Sequence, residues 1–246
     1  MISLLPSYAE LHCLSNFTFL RGASHPEELV ERAHKLGYSS LAITDECSFA
    51  GVVRAHVKAK ELQLHLIIGS EMLLACGLKL VLLAMHRDGY GNLAEWISLG
   101  RCRAAKGSYD IRRADIGTPW EEGDAPGPAH LRGLPDCLAL FIADCRQDDA
   151  QLDEQAAWVA ATFPGRAAIA LHLLQRSDDA CRQERLHALS QRYGMPLVAC
   201  GFALQPNAEQ FCRQTLFSVN SRKIACQAGR FVASRYELFP SGKYIC

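Results

Sequence analysis

Short apolar runs alternate with longer amphipathic segments along most of the chain. A near-continuous apolar run such as 78–84 is typical of a strand in a sheet that is covered on both faces. Amphipathic segments carry apolar residues at helical spacing, as Leu29, Val30 and Ala33 do. The pattern predicts seven strands, at 8–14, 41–44, 64–69, 78–84, 137–143, 166–173 and 196–200.

Helices are predicted between most of these strands. The first has Ser24 as its N-cap and Pro26 in its first turn, and it ends at Gly37. The others are predicted at 51–62, 90–103, 149–163 and 178–193. Repeated strand–helix units imply an α/β fold with a parallel sheet and right-handed crossovers. A barrel and a doubly wound sheet both fit this pattern.

Composition narrows the class of protein. The chain has 246 residues, and 49% of them are hydrophobic, which is enough to bury one sizeable core. Its 26 basic and 26 acidic residues balance, which argues against a main role in coating nucleic acid. The 11 cysteines form no CxxC pair, and neither a signal peptide nor an apolar run long enough for a membrane span is present. A cytoplasmic protein without membrane contact is expected.

Candidate chemistry lies at the ends of the first strands. His12 and Asp45 stand at or just beyond the carboxyl ends of the first two predicted strands, and Glu71 follows the third. Chemistry collects at the carboxyl ends of the strands in a parallel α/β barrel. These three side chains are therefore the first candidates for a metal or phosphate site.

Several short sequence segments, taken in order along the chain, resemble one protein family. They are His12-Cys-Leu, Phe19-Leu-Arg-Gly-Ala-Ser24, Ile43-Thr-Asp-Glu46, Ala50-Gly-Val-Val-Arg-Ala-His56, Ile67-Ile-Gly-Ser-Glu71, Gly89-Tyr-Gly-Asn-Leu93 and Arg192-Tyr-Gly-Met-Pro-Leu-Val-Ala-Cys-Gly201. They resemble the PHP (polymerase and histidinol phosphatase) domain of bacterial C-family DNA polymerases, and within it the error-prone branch. The resemblance implies a distorted seven-stranded (β/α) barrel formed by a single domain over 1–246. It is strongest over 7–104 and 166–201, with an irregular surface excursion at 105–136 and a divergent segment at 202–246.

The same resemblance implies a degenerate metal site. His12, Asp45, Glu46 and Glu71 stand at positions of the family's metal site, and Glu46 replaces a histidine there. The other ligand positions carry Leu14, Arg21, Lys79, Phe202 and Leu204. Leucine cannot donate to a metal, and a fixed positive charge in a cation site is unfavourable when it is desolvated.

Two hypotheses about this site remain open. In the first, Arg21 pairs with Glu46 or Asp45, Leu14 and Leu204 pack in the mouth of the barrel, and no cofactor is bound. In the second, His12, Asp45 and Glu71 converge on a single divalent metal (Mn, Zn or Mg), with His86 or His172 supplying a further nitrogen. Cys145 lies near a position where some PHP domains place a cysteine ligand, but chance placement explains it equally well.

The resemblance implies a polymerase that serves DNA repair and damage-induced translesion synthesis. Its palm, thumb and fingers are expected to lie beyond this chain, so the chain by itself is not expected to synthesise DNA, and whether it has any other enzymatic activity is left open. We expect a structural module with no catalytic residues, whose partners are the remaining polymerase domains in cis or a polymerase in trans, and which meets DNA only indirectly. The alternatives are a metal-dependent phosphoesterase or 3′–5′ nuclease, and a stand-alone module that binds a polymerase.

Overall fold

One curled sheet of seven strands organises the fold. The computed structural model describes residues 8–119, 124–172 and 177–201. Within these ranges the strands lie side by side in the order of the sequence, β1 to β7. They are β1 (Ala9–Glu10), β2 (Ser40–Ile43), β3 (His65–Leu73), β4 (Lys79–Ala84), β5 (Cys137–Phe141), β6 (Ala167–Leu171) and β7 (Leu197–Ala199). The α/β fold and the seven strands predicted from the sequence are confirmed.

The direction of β4 departs from the prediction of a wholly parallel sheet. β1, β2 and β3 are parallel, and β5, β6 and β7 are parallel, but β4 is antiparallel to both of its neighbours. The physical reason is the short connection at Gly77, whose φ of +82° belongs to a tight turn between β3 and β4. Because of this reversal, Lys79 at the start of β4 lies at the same edge as the carboxyl ends of the parallel strands.

In the described ranges, five helices pack around the sheet. They are α1 (Pro26–Lys35), α2 (Val52–Leu62), α3 (Arg87–Arg103), α4 (Asp149–Thr162) and α5 (Asp179–Tyr193). The predicted cap of α1 is one residue off, because His25 and not Ser24 is the N-cap, and its backbone N–H donates to the Glu28 carboxylate at 2.9 Å. No helix in the described ranges is long and apolar enough to cross a membrane.

The inner face of the curled sheet is filled by small and aliphatic side chains. Every strand contributes, so the interior is a packed core and not an open channel. These buried residues are Ala9, Leu11, Ala42, Ile67, Val81, Leu83, Leu138, Leu140, Ala168, Ala170, Val198 and Cys200. A larger core lies between the outer face and α3, α4 and α5, and includes Trp96, Phe141 and Phe163.

The irregular segment 105–136 is not a surface excursion throughout. Its described residues, 105–119 and 124–136, contain two 3₁₀ turns, Arg113–Asp115 and Ala129–Leu131, and are otherwise irregular, as expected. Several of the described apolar side chains are nevertheless buried in the larger core, among them Ile111, Ile116 and Leu134. Composition rich in Gly, Pro and Asp predicted the irregular backbone, but it gave no sign of these widely spaced buried apolar residues.

Candidate functional site

The candidate site lies at the mouth of the barrel, where the carboxyl ends of the parallel strands meet. His12 follows β1, Asp45 follows β2, and His172 follows β6, while Glu71 lies inside β3. Side chains from distant parts of the sequence therefore share one edge of the sheet, as expected for this architecture.

His12 and Glu71 form the centre of the site. Both side chains are buried, and His12 Nε2 lies 2.7 Å from Glu71 Oε2. His12 Nδ1 lies 3.3 Å from His172 Nε2 on the other side of the ring. A neutral His12 that donates to Glu71 is left to accept from His172. Of the two spare histidines, the structure brings His172 into the site.

Arg21 closes the site from the loop between β1 and α1. Its guanidinium donates to both oxygens of Glu71, with 3.2 Å between Nη2 and Oε2, and also to Glu46. The predicted pair of Arg21 with Glu46 is confirmed, whereas no pair with Asp45 is found. A second cation, Lys79, also lies near Glu71, with 3.6 Å between Nζ and Oε1. Two cationic side chains thus lie beside the fully buried carboxylate of Glu71.

Asp45 serves the loop and not the centre of the site. Its buried carboxylate accepts hydrogen bonds from the Ser15 backbone N–H at 2.8 Å, from Ser15 Oγ at 2.7 and 2.9 Å, and from Thr18 Oγ1 at 2.8 Å. Thr18 Oγ1 also accepts from the backbone N–H of Glu46 at 3.0 Å. These contacts fasten the loop after β1 to the end of β2.

The second carboxylate at the mouth, Glu46, is shared between two elements. One oxygen accepts from Arg21, and the other accepts from the Tyr109 hydroxyl at 2.7 Å. Burial and this bond to Glu46 raise the pKa of Tyr109, which stays protonated and donating. Glu46 therefore connects the Arg21 loop to the segment that follows α3.

Burial and the two cations set the charges of the site. Burial alone would raise the pKa of Glu71, but the hydrogen bonds from His12 and Arg21 outweigh it and lower the pKa to about 2. Burial lowers the pKa of His12, and burial and the neighbouring His12 lower the pKa of His172 to about 3. At neutral pH, an ionised Glu71 is held by Arg21 beside two neutral imidazoles.

Glu10 is a buried acidic residue near the mouth that the sequence did not identify as a candidate. Its fully buried carboxylate accepts from the His12 N–H at 3.0 Å, from the Gly201 N–H at 3.0 and 3.1 Å, and from the Tyr8 hydroxyl at 2.9 Å. The described part of the chain has no backbone pairing between β7 and β1, so Glu10 bridges the two ends of the sheet. Burial raises its pKa to about 7. A lone acid inside a predicted strand was the available signal.

The remaining candidate site residues in the described ranges either lie away from the mouth or are buried in the packed interior. Leu14 is fully buried, as predicted. His86 caps α3, with Nδ1 accepting from the Asp88 N–H at 3.3 Å, and it pairs with Asp136 at 3.0 Å. Because β4 is antiparallel, this places His86 at the opposite edge of the sheet. Cys145 packs against the larger core. Phe202 and Leu204 lie outside the described residues.

The residues at the mouth do not fit a divalent metal. In the described part of the chain no three His, Cys, Asp or Glu side chains are arranged to hold one. The chemistry of the donors explains this, because Arg21 binds both oxygens of Glu71, and Ser15 and Thr18 occupy the carboxylate of Asp45. A divalent cation would have to displace the guanidinium first.

Comparison with known families agrees with this architecture. The chain matches the PHP domain family over residues 10–171. It belongs to this family.

Particular relatives define the branch. The chain is 49% identical over 243 residues to the error-prone DNA polymerases of Bordetella parapertussis and Bordetella bronchiseptica, which covers 96% of the chain. It is 46% identical over 240 residues to the error-prone DNA polymerase of Dechloromonas aromatica. The chain spans only 22–23% of the length of these relatives.

Solved structures share the fold at low sequence identity. An amidohydrolase from Chromobacterium violaceum with bound sulfate and no metal has a TM-score of 0.56 at 17% identity, covering 82% of this chain and 89% of its own. A Bifidobacterium adolescentis protein named for metal-dependent phosphoesterase activity has a TM-score of 0.54 at 16% identity, covering 91% of this chain and 97% of its own. These likenesses support the fold alone.

Proposed function

We propose that this chain is the PHP region of an error-prone DNA polymerase and acts there as a structural module, not as a hydrolase. The match to curated error-prone polymerases over 96% of the chain supports the first part. One observation supports the second part. Arg21 and Lys79 form ion pairs with Glu71, the buried carboxylate that a metal site would need as a ligand. A side-chain cation cannot activate water as a metal does.

The polymerase as a whole would serve DNA repair and damage-induced translesion synthesis in the cytoplasm. In that setting the module would contact the remaining polymerase domains in cis, or a polymerase partner in trans, and would meet DNA only through them. The balance of 26 basic and 26 acidic residues supports indirect contact, because a surface that binds the phosphate backbone directly is usually basic.

A second candidate function is a metal-dependent phosphoesterase or 3′–5′ nuclease with a reduced site. The observation in its favour is that His172 Nε2 lies 3.3 Å from His12, which itself contacts Glu71. Two imidazoles and a carboxylate are suitable ligands for zinc or manganese. This function requires Arg21 to leave both oxygens of Glu71.

A hybrid polymerase tests the structural role. The chain would replace the matched region of the Bordetella bronchiseptica error-prone polymerase, and DNA synthesis would be followed after heating. We expect synthesis by the hybrid, and loss of synthesis at a lower temperature in its Arg21→Ala variant. Arg54→Ala is the matched control, because Arg54 forms an exposed pair with Glu27. A hybrid that synthesises no DNA, or an Arg21→Ala hybrid as heat-resistant as the control, contradicts the proposal.

Hydrolysis separates the two functions. With Mn²⁺ or Zn²⁺ present, we expect the chain to cleave neither a phosphodiester nor a DNA 3′ end above the rate in buffer. Cleavage that is lost in His12→Ala and in Glu71→Ala would establish the phosphoesterase function instead.

A further inference from the structure

Three apolar side chains project into solvent from the loop that carries Arg21. Phe17, Phe19 and Leu20 are 40%, 83% and 91% exposed, and together they are called the apolar tip. A single exposed apolar residue is ordinary on a protein surface. Here three exposed apolar side chains lie within four positions of one loop at the mouth of the barrel.

The backbone of this loop is fixed, so the apolar tip is presented and not merely flexible. The Asn16 N–H donates to Ser24 O at 2.8 Å, the Thr18 N–H to Ser15 O at 2.9 Å, and the Gly22 N–H to Thr18 O at 3.0 Å. A Cβ at Gly22 would lie 1.9 Å from Ser15 O, so the loop closes tightly on itself. The two ends of the loop are therefore held together beneath the exposed side chains.

Contacts at the mouth of the barrel hold the loop. Asp45 accepts from Ser15 and Thr18, and Arg21 reaches inward to Glu46 and Glu71. The side chains of Ser15, Thr18 and Arg21 therefore face the barrel. This leaves the apolar side chains Phe19 and Leu20 on the outside.

Leu20 is also strained. Its φ is +64°, in the left-handed region that glycine and asparagine adopt much more readily than leucine. The side chain is almost fully exposed, so no described contact within the chain offsets this cost. Residues held in strained backbone conformations cluster at active sites, ligand clamps and switch regions. Both the strain and the exposure are explained if Leu20 contacts something outside the described residues.

We propose that the apolar tip docks in an apolar pocket on another domain of the same polymerase polypeptide. This inference rests on the proposed function. Relatives matched over 96% of this chain are more than four times as long, so in a polypeptide of that length most residues lie outside the matched region. Three side chains cannot supply the roughly 800 Å² per partner of an independent stable interface. Within one polypeptide the effective concentration is high, so a small aromatic and aliphatic anchor suffices.

A photochemical cross-link tests this docking directly. Benzoylphenylalanine would be placed at position 19 of the hybrid polymerase, and the products of irradiation would be mapped by mass spectrometry. We expect cross-links from position 19 to the polymerase beyond the exchanged region. Position 57 is the matched control, because Val57 is also an exposed apolar residue but lies on α2. No cross-link to the polymerase is expected from it.

Several outcomes would overturn the proposal. Cross-links from position 19 only to residues of this chain, to a second copy, or to nothing would do so. Cross-links from position 57 alone would show that a different face docks. If such a hybrid still synthesises DNA, the proposed function stands and only the docking surface is wrong. A hybrid without synthesis contradicts the proposed function itself.

Paired substitutions give a second measurement. In the double variant Phe19→Ser, Leu20→Asn, we expect protease to separate the exchanged region from the rest of the hybrid about ten times faster than in the unchanged hybrid. A tenfold change corresponds to the loss of one docking contact worth roughly 1.4 kcal/mol. Val57→Ser should leave that rate unchanged. Equal rates for all three proteins would contradict the docking.

Discussion

At the scale of single residues, the mouth of the barrel holds a buried anion, Glu71, and the protein's own cations surround it. Arg21 binds both oxygens of Glu71, and Lys79 lies 3.6 Å away. Removing one partner of a buried pair costs about 3–5 kcal/mol, because the other charge stays buried without compensation. The ion pair therefore stabilises the fold at a position where a metal site would need carboxylate oxygens that are not bound to another cation.

Arg21→Ala should destabilise the chain substantially. Because Arg21 is only partly buried and Lys79 stays near Glu71, we expect a loss of about 2–3 kcal/mol in the free energy of unfolding. Urea denaturation measures this loss. The exposed pair of Arg54 with Glu27 should be worth less than about 1 kcal/mol, which makes Arg54→Ala the control.

A double variant identifies the cause. Arg21→Ala combined with Glu71→Gln should recover most of the lost stability, because the buried charge is removed together with its partner. If the double variant is no more stable than Arg21→Ala alone, the uncompensated charge of Glu71 is not the reason for the loss.

Glu10 should make the stability of the chain depend on pH near neutrality. Its folded-state pKa of about 7 is above its ordinary value of 4.5, so its favourable contribution is complete below pH 4.5 and is lost as the pH rises through 7. Relative to wild type, Glu10→Gln should gain about 3 kcal/mol between pH 4.5 and 8.

Chemical denaturation of both proteins over this pH range gives the measurement. Comparing variant with wild type cancels the opposite contribution of His172, whose lowered pKa favours the folded state as the pH rises. A difference between the two proteins that does not change with pH would show that Glu10 is ionised normally in the folded state.

Leu20→Asn should stabilise the chain by up to about 1 kcal/mol, because asparagine tolerates the positive φ at this position. Thermal unfolding of the chain gives the measurement. Leu20→Ala is the control, since it removes the apolar side chain but keeps the strained backbone. Equal stabilities for these two variants would mean that the backbone at position 20 carries no strain.

Some site residues could be predicted from the sequence, and others could not. Arg21 and Glu46 were predicted as a pair because both replace ligands of one resembled site. The sequence could not decide between His86 and His172 as the further nitrogen, because the distance between His172 and His12 depends on how β6 lies relative to β1. Glu10 looked like a polar residue within a strand, and only the three-dimensional closure of the sheet gives it partners.

At the scale of elements, the loop between β1 and α1 joins the metal-site positions to the apolar tip. Asp45→Asn replaces two acceptor oxygens by one acceptor and one donor group, which disrupts its bonds from Ser15 and Thr18. We expect faster amide hydrogen exchange in peptides that cover 15–22, and unchanged exchange in β4 and β5. Unchanged exchange in the loop peptides would contradict the anchoring role of Asp45.

Element boundaries followed the hydrophobic pattern, but strand direction did not. Periodicity gives the same pattern for a buried strand in either direction. The reversal of β4 depends on the turn at Gly77, and it brings Lys79 to the mouth. Similarly, the anchors Ile111 and Leu134 of the irregular segment have no period that would identify them as core residues.

At the scale of the whole molecule, a curled α/β sheet of the PHP family has a packed interior and an ion-paired mouth. Fold alone does not determine function, because function depends on the groups placed at the site. Here Glu71 is bound by Arg21, Asp45 is bound by the loop, and Glu10 bridges the sheet ends. Each acid contributes to holding the barrel and its loop in place.

Thermal unfolding with and without Mn²⁺ or Zn²⁺ tests the central claim most directly. A metal that binds the native state should raise its stability by about 2.7 kcal/mol at a hundredfold excess over the dissociation constant. Because Arg21 and Lys79 already neutralise Glu71, we predict no rise in the melting temperature of the wild-type chain. A clear rise that disappears in His12→Ala and in Glu71→Ala would contradict the account.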